Sequence, residues 1–278
     1  MALFSFRLPP QVMEARQQAA LPSPPGWQYE PKWDGFRAIA IRDRRKAELY
    51  GKSGKPLGRY FPEVIAQLLE VPVQHFAVDG EIAIPIRSAL SFDALQARLH
   101  PARSRIEKLS RETPAVLILF DTLESSEDPF LWKRPLAQRR ASLDKLFLRL
   151  KAAGGFRLSP ATTSLQTATK WLARAGGGAL DGVVAKETDA PYRFGERAMV
   201  KVKCLRTADC VVGGFRYETG RRLVGSLLLG LYDDKGLLHH VGFTSGISEK
   251  DRPALTRKLE KLRGAPGFTG SAPGGPSR

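Results

Sequence analysis

The chain has 278 residues, 42% of them apolar and 26% charged, enough to bury a core in one large domain or two smaller ones. Its formal net charge of +16, from 44 Lys+Arg against 28 Asp+Glu, points to a polyanionic partner such as nucleic acid. No apolar run approaches the ~20 residues of a bilayer span, and the N-terminus lacks a signal-peptide pattern, so a cytoplasmic protein without a membrane partner is expected.

Two cysteines, Cys204 and Cys210, are too few for a disulfide framework and read as small buried hydrophobes in a reducing compartment. His75, His100, His239 and His240 show no zinc-ligand spacing. The basic residues are spread along the chain, which suits a folded surface that tracks a phosphate backbone.

Residues 1–26 are Pro-rich, and Pro22, Pro24 and Pro25 predict an extended arm without regular structure. "YEPKWDGFRA" follows, with Glu30, Lys32, Asp34 and Arg37 set among Trp33, Phe36 and Ala38, and leads into a strand over 35–43. A partner strand is expected over 47–50. "FPEVIAQLLE" reads as a helix and "HFAVDGEIAIP" as a strand carrying Asp79 and Glu81. Ser91 is a candidate N-cap for "FDALQARL". "PAVLILFDTL" reads as a buried strand ending at Asp121. Residues 135–152 form a basic amphipathic helix with Leu136, Leu143, Leu146, Phe147 and Leu150 on one face. A helix near 165–175 stops at Gly176 to Gly178. "LDGVVAKE" and "AMVKVKC" read as two more strands. With no strict βαβ rhythm, the fold class is α+β with largely antiparallel sheets and flanking helices. Beyond a boundary near Leu205 to Thr207, three short strands and a helix suggest a small oligonucleotide-binding (OB) barrel, and the Gly/Pro-rich end reads as loose.

Several strands carry charge at a spacing of two: Lys32 with Asp34, Asp79 with Glu81, Lys201 with Lys203. Residues two apart project from one face of a strand. Isolated buried charges are too costly to keep, so these faces imply a polar cleft between sheets. Lysines, acids and a nearby aromatic, Phe120, are what a nucleoside triphosphate with a divalent metal requires.

The ordered set "KWDGFR" (Lys32 to Arg37), "DGE" (Asp79 to Glu81), "LFD" (Leu119 to Asp121), "DGVVAK" (Asp181 to Lys186) and "KVK" (Lys201 to Lys203) resembles the covalent nucleotidyltransferase superfamily. Within it the chain resembles small, stand-alone bacterial ATP-dependent DNA ligases, and "KVKCLRTADCVVGGF" resembles their hinge into an OB-fold. The resemblance implies an adenylation domain over 1–204 and an OB-fold over 205–278. It also implies a monomer that seals nicked duplex DNA in repair, using ATP and Mg²⁺ or Mn²⁺. Lys32 would attack the α-phosphate and carry AMP, with Asp34 orienting it or meeting the metal. An ordinary lysine, pKa ~10.4, would need a shift of about three units for that role. Glu30 would meet the adenine edge, Phe120 the adenine face and Arg37 the ribose or phosphate. Glu81 and Asp181 would bind metal or ribose, and Lys186, Lys201 and Lys203 phosphate. Asp121 reads equally as a site residue or a strand-end cap, and Arg193 and Arg197 as anion contacts or a solvated loop.

Two departures from the family pattern stand out. Gly51-Lys52 occupies the place of a Ser-Arg pair, and lysine cannot give arginine's two-pronged fork, so Lys52 is expected to touch the nucleotide or the nick 5′-phosphate less rigidly. The about 70 residues after Thr207 make a short OB-fold without the family's C-terminal basic motif, so slow self-adenylation is expected. An RNA ligase, a GTP-using capping enzyme and a non-catalytic nucleic-acid-binding protein remain alternatives.

Overall fold

Period-two alternation in the sequence becomes two sheets that face each other across a cleft. The computed structural model describes residues 4–87, 89–176, 180–204, 207–264 and 266–271, and the chain divides into two units, Met1–Leu205 and Arg206–Arg278. The expected helix stop at Gly177 and Gly178, and Leu205 and Arg206 of the expected boundary, lie outside the described residues, as do residues 272–278 of the tail.

In chain order the first unit contains β1 (Ala15–Gln17), β2 (Trp27–Trp33), β3 (Phe36–Asp43), β4 (Lys46–Gly51), α1 (Pro62–Glu70) and β5 (His75–Ala83). The two-residue strands β6 (Pro85–Ile86) and β7 (Ala89–Leu90) precede α2 (Phe92–Gln96) and α3 (Arg103–Glu112). Then come β8 (Val116–Ser125), α4 (Leu136–Leu150), β9 (Phe156–Leu158), α5 (Leu165–Ala173), β10 (Leu180–Glu187) and β11 (Met199–Lys203). One sheet has the order β1-β11-β10-β2 and the other β4-β3-β5-β8-β9; β1–β11 and β8–β9 are parallel, the other pairings antiparallel. The class is α+β with mixed sheets.

Alternation decides what each sheet face meets. In the four-stranded sheet, Tyr29, Val183, Ala185, Val200 and Val202 pack with Ala168 of α5. Their neighbours Glu30, Lys32, Val184, Lys186, Lys201 and Lys203 line the cleft on the opposite face. In the five-stranded sheet, Ala38, Ala40, Val78, Ile82, Leu117 and Leu119 pack with Val64 and Leu68 of α1 and Leu143, Leu146 and Leu150 of α4. Each of the Val, Leu and Ile side chains in this set contributes about 1.5–3 kcal/mol when fully buried. Between the sheets, Ile39, Ile41, Ala77, Leu123, Tyr192 and Met199 close one end over the N-terminal residues Phe4, Val12 and Met13.

Several expectations need correction. The N-terminal arm is not without regular structure: Ala15–Gln17 pairs with Met199–Lys201, since no proline lies between residues 11 and 21 to remove a donor. The eighth strand does not end at Asp121 but runs on to Ser125. Asp121 is buried and forked by Arg139, whose Nε and Nη2 donate to its two oxygens at 2.8 and 3.0 Å. Cys204 is exposed and Cys210 only half-buried.

The second unit contains β12 (Val211–Tyr217), β13 (Val224–Tyr232), β14 (Leu238–Thr244) and α6 (Arg252–Lys261). The strands form an antiparallel meander, and Thr256 of α6 accepts from the Val224 N–H at 2.9 Å. Among the described residues this sheet has three strands and no closed barrel. No helix among the described residues is long and apolar enough to cross a membrane.

Candidate active site

The cleft between the sheets of the first unit encloses about 760 Å³. Glu30, Lys32, Arg37, Lys52, Glu81, Phe120, Lys186, Lys201 and Lys203 all line it. Asp181 stands at its edge and is tied to it by ion pairs.

The register builds the cationic end. Gly182 of β10 is opposite Lys32 on one side and Lys203 on the other, and the ladder is irregular at Leu180/Gly182. Asp181 lies at that irregularity. Its Oδ2 takes Lys32 Nζ at 2.7 Å and Lys203 Nζ at 2.8 Å. Burial opposes its ionisation, but the two lysines prevail and hold its carboxyl below the usual range. Gly182 has φ +154°, and a Cβ there would lie 2.1 Å from the Val202 carbonyl oxygen, so only glycine lets the strands close between the two lysines. Lys201, one alternation along β11, has its pKa lowered by burial and then by Lys203 and Lys32.

The opposite wall carries Glu81. A Cβ on Gly35 would come within 2.8 Å of Glu81 Cγ and 2.4 Å of the Ile82 carbonyl oxygen, so the glycine three residues after Lys32 lets the turn close on this carboxylate. Burial, against the pull of Arg37 and Lys32, pushes the Glu81 carboxyl up to about 7. Among the described residues it makes no salt bridge. Asp181, by contrast, has both lysines as its ion-pair partners. Among the described residues no group of three or more His, Cys, Asp or Glu side chains forms a ready-made metal cage, so Glu81 and Asp181 fit a divalent ion only of the kind that takes one or two carboxylates and completes its shell with substrate phosphates and water.

The other end is charge-balanced and more deeply buried. Glu30, 2% exposed, receives Lys186 Nζ at 2.8 Å on Oε2 and Gln28 Nε2 at 2.8 Å on Oε1. Lys186 also donates to the Phe120 carbonyl at 3.4 Å. It therefore sits with Glu30, not among Lys32, Lys201 and Lys203. The Phe120 ring has the Arg37 guanidinium 4.5 Å from its centroid and Lys186 Nζ at 4.7 Å. Arg37 is anchored from behind: Nε and Nη2 fork onto buried Asp79 at 2.6 and 2.7 Å. Tyr192, whose hydroxyl accepts from the Met13 N–H at 2.9 Å, also donates to Asp79.

Asp34 lies in the turn between β2 and β3, outside the cleft lining, and makes no salt bridge among the described residues. Arg193 is exposed and pairs loosely with Glu196 at 3.8 Å. Sequence reasoning missed Gln28, Tyr192, Arg139 and Glu14. Glu14 also lines the cleft, where Lys52 Nζ lies 3.0 Å from its Oε2. Only Arg139 left a signal: it falls on the apolar face of α4, three residues after Leu136 and four before Leu143.

Residues 11–203 match the ATP dependent DNA ligase domain family. The chain is 47% identical to DNA ligase C2 of Mycolicibacterium smegmatis, over 86% of this chain and 67% of that protein. It is 41% identical to DNA ligase C of Mycobacterium tuberculosis, over 91% and 71%. Among solved structures, a mycobacterial DNA ligase D complexed with ATP and MES shares the fold at TM-score 0.56 and 24% identity, over 94% of this chain and 81% of that one. The chain belongs to the ATP-dependent DNA ligase family and is an enzyme of that kind, sealing nicks through a lysyl-AMP intermediate.

Proposed function

We propose that Lys32 is the nucleophile that carries AMP, and that the cleft binds ATP with its base at the Glu30–Phe120 end and its phosphates among Lys32, Lys52, Lys201 and Lys203. The observation that carries this reading is Lys32 Nζ inside the cleft, paired with Asp181 next to Lys203. Its amine attacks the α-phosphorus, a P–N bond forms, and the bond to pyrophosphate breaks. AMP then passes to the nick 5′-phosphate, and the 3′-hydroxyl displaces AMP to close the strand. To react, Lys32 leaves Asp181, which keeps Lys203 as its partner.

Lys201 and Lys203 neutralise charge that builds on the transferring phosphoryl group. Glu30, accepting from Gln28 and paired with Lys186, offers carboxylate oxygens to the exocyclic amine of adenine. Arg37 supports the base-stacking residue Phe120 and reaches the ribose. Lys186 acts on Glu30 rather than on phosphate. Asp34 acts through the turn that carries Lys32. Glu81 and Asp181 would hold Mg²⁺ or Mn²⁺, which supplies charge neutralisation and orientation of the phosphates. We assign the second unit to the OB class, and the whole to a monomeric, cytoplasmic repair enzyme whose basic surface grips duplex phosphates on either side of the nick.

The test is mass spectrometry after incubation with ATP and Mg²⁺, followed by sealing of nicked duplex DNA. An acid-labile gain of one AMP on Lys32, absent in Lys32→Ala, is expected, with strand joining on DNA. An adduct on another residue refutes the assignment of Lys32, and an adduct from GTP alone, or joining of RNA alone, refutes the substrate assignment.

A further inference from the structure

We propose that Glu14 is an internal anion that masks Lys52 and is displaced when a terminal phosphate binds at the cationic end of the cleft. This rests on the reading of that end as the phosphate site.

Glu14 is fixed by its backbone and free only in its side chain. Its N–H donates to the Glu196 carbonyl at 2.7 Å, and its own carbonyl accepts from the Met199 N–H at 3.1 Å. The following residues, Ala15–Gln17, pair with Met199–Lys201. The carboxylate is thus held on the rim next to Lys201, and its Oε2 lies 3.0 Å from Lys52 Nζ. The hydrogen bond from Lys52, and after it the charges of Lys52, Arg197 and Lys201, outweigh partial burial and keep the Glu14 carboxyl below its ordinary range. All three named cations face the same carboxylate. Lys52, in turn, sits in the turn after β4 and is 62% exposed, so it can swing.

A carboxylate paired with Lys52, with Arg197 and Lys201 acting on it at longer range, occupies the place of a phosphate oxygen pair. A terminal phosphate carries about twice its charge and more acceptor oxygens, so it wins Lys52 and drives Glu14 aside. When that phosphate leaves, Glu14 returns to Lys52 and opposes rebinding. Release is favoured by this exchange, and the reverse reaction is not. The shared ligand chemistry is a terminal phosphate, from pyrophosphate or from the nick 5′-end.

The test measures binding to the full, unadenylated chain, so its result is independent of whether Lys32 reacts. Inorganic pyrophosphate is titrated by calorimetry into wild type, Glu14→Gln, Lys52→Met and the double variant. In parallel, nicked duplexes with and without a 5′-phosphate are titrated by fluorescence anisotropy. Glu14→Gln is expected to tighten binding about two- to fivefold, within the range an exposed ion pair commands. The same change made in the Lys52→Met background is expected to give none. A gain with pyrophosphate assigns the masked site to the leaving group, and a gain confined to the 5′-phosphorylated nick assigns it to the DNA end. No gain with either ligand, or an equal gain in the Lys52→Met background, overturns the proposal. If binding responds as expected but no lysyl adduct ever forms, the functional assignment fails and the mask stands.

Discussion

Lys32 and Lys203 meet on a single oxygen: Asp181 Oδ2 lies 2.7 Å from one and 2.8 Å from the other. The nucleophile proposed here is therefore parked against a shared counter-ion, one β-irregularity away from the lysine that would neutralise its target. Asp181→Asn removes that shared anchor while leaving the shape of the site. Adenylation in rapid-quench experiments is expected to slow by about 10²-fold, the scale of a misplaced reacting group. ATP affinity is expected to change far less. A loss of ATP affinity with the rate at saturating ATP unchanged would mean that Asp181 serves binding alone.

The Glu81 carboxyl, pushed up to about 7 by burial, gives a pH dependence with a definite sign. Its charged form, the one able to hold a cation, is lost as pH falls through 7. At limiting Mg²⁺ the adenylation rate should therefore drop from pH 8 to pH 6, and Glu81→Gln should be slow at both. Stability runs the other way. A carboxyl raised in the folded state contributes stability that is fully present below the unfolded value of about 4.3 and is lost as pH rises through the folded value near 7. Without ligands, Glu81→Gln is thus expected to raise Tm at pH 8 and to leave it unchanged at pH 4, read by differential scanning calorimetry.

Arg139 and Asp121 form an ion pair in which each side chain is 1% exposed. Arg139 also donates to the carbonyls of Arg134 at 2.7 Å and Ala190 at 2.9 Å, joining α4, β8 and the segment after β10. Removing one partner strands the other in the interior. Arg139→Ala is expected to cost about 3–5 kcal/mol in denaturant unfolding, and adding Asp121→Leu should recover part of it. Because Asp121 follows Phe120, weaker ATP binding should accompany the loss.

The contrast between Lys32 and Lys186 shows how far the sequence could be read. Charges at a spacing of two, within strands otherwise built of Val, Ile and Ala, announced a polar cleft, and Lys32, Glu81, Lys201 and Lys203 line it, whereas Asp34 falls in the turn and Asp79 is buried behind Arg37. What spacing could not convey was which charges would meet. Lys186 and Lys203 look alike in the chain, yet antiparallel pairing sends one to Glu30 and the other to Asp181. Asp121 was read as a strand end because nothing local reveals that Arg139, in a helix rich in Arg and Lys, turns inward. Glu14 and Tyr192 were missed because both lie in segments that read as Pro-bounded loops. The helix Arg103–Glu112 went unassigned since Ile106 is its one buried residue and offers no apolar stripe.

The glutamate–lysine pair at the rear and the lysine group at the front are two residues apart on β2, from Glu30 to Lys32, or about 7 Å along a strand. The rear is electrically neutral, whereas at the front Lys32, Lys52, Lys201 and Lys203 outnumber Asp181, Glu14 and Glu81. A molecule that is flat and uncharged at one tip and polyanionic at the other can settle in only one sense, tail outward. Orientation is thereby decided on entry, before any chemistry, and a nucleotide that arrives reversed meets a carboxylate where it needs a cation.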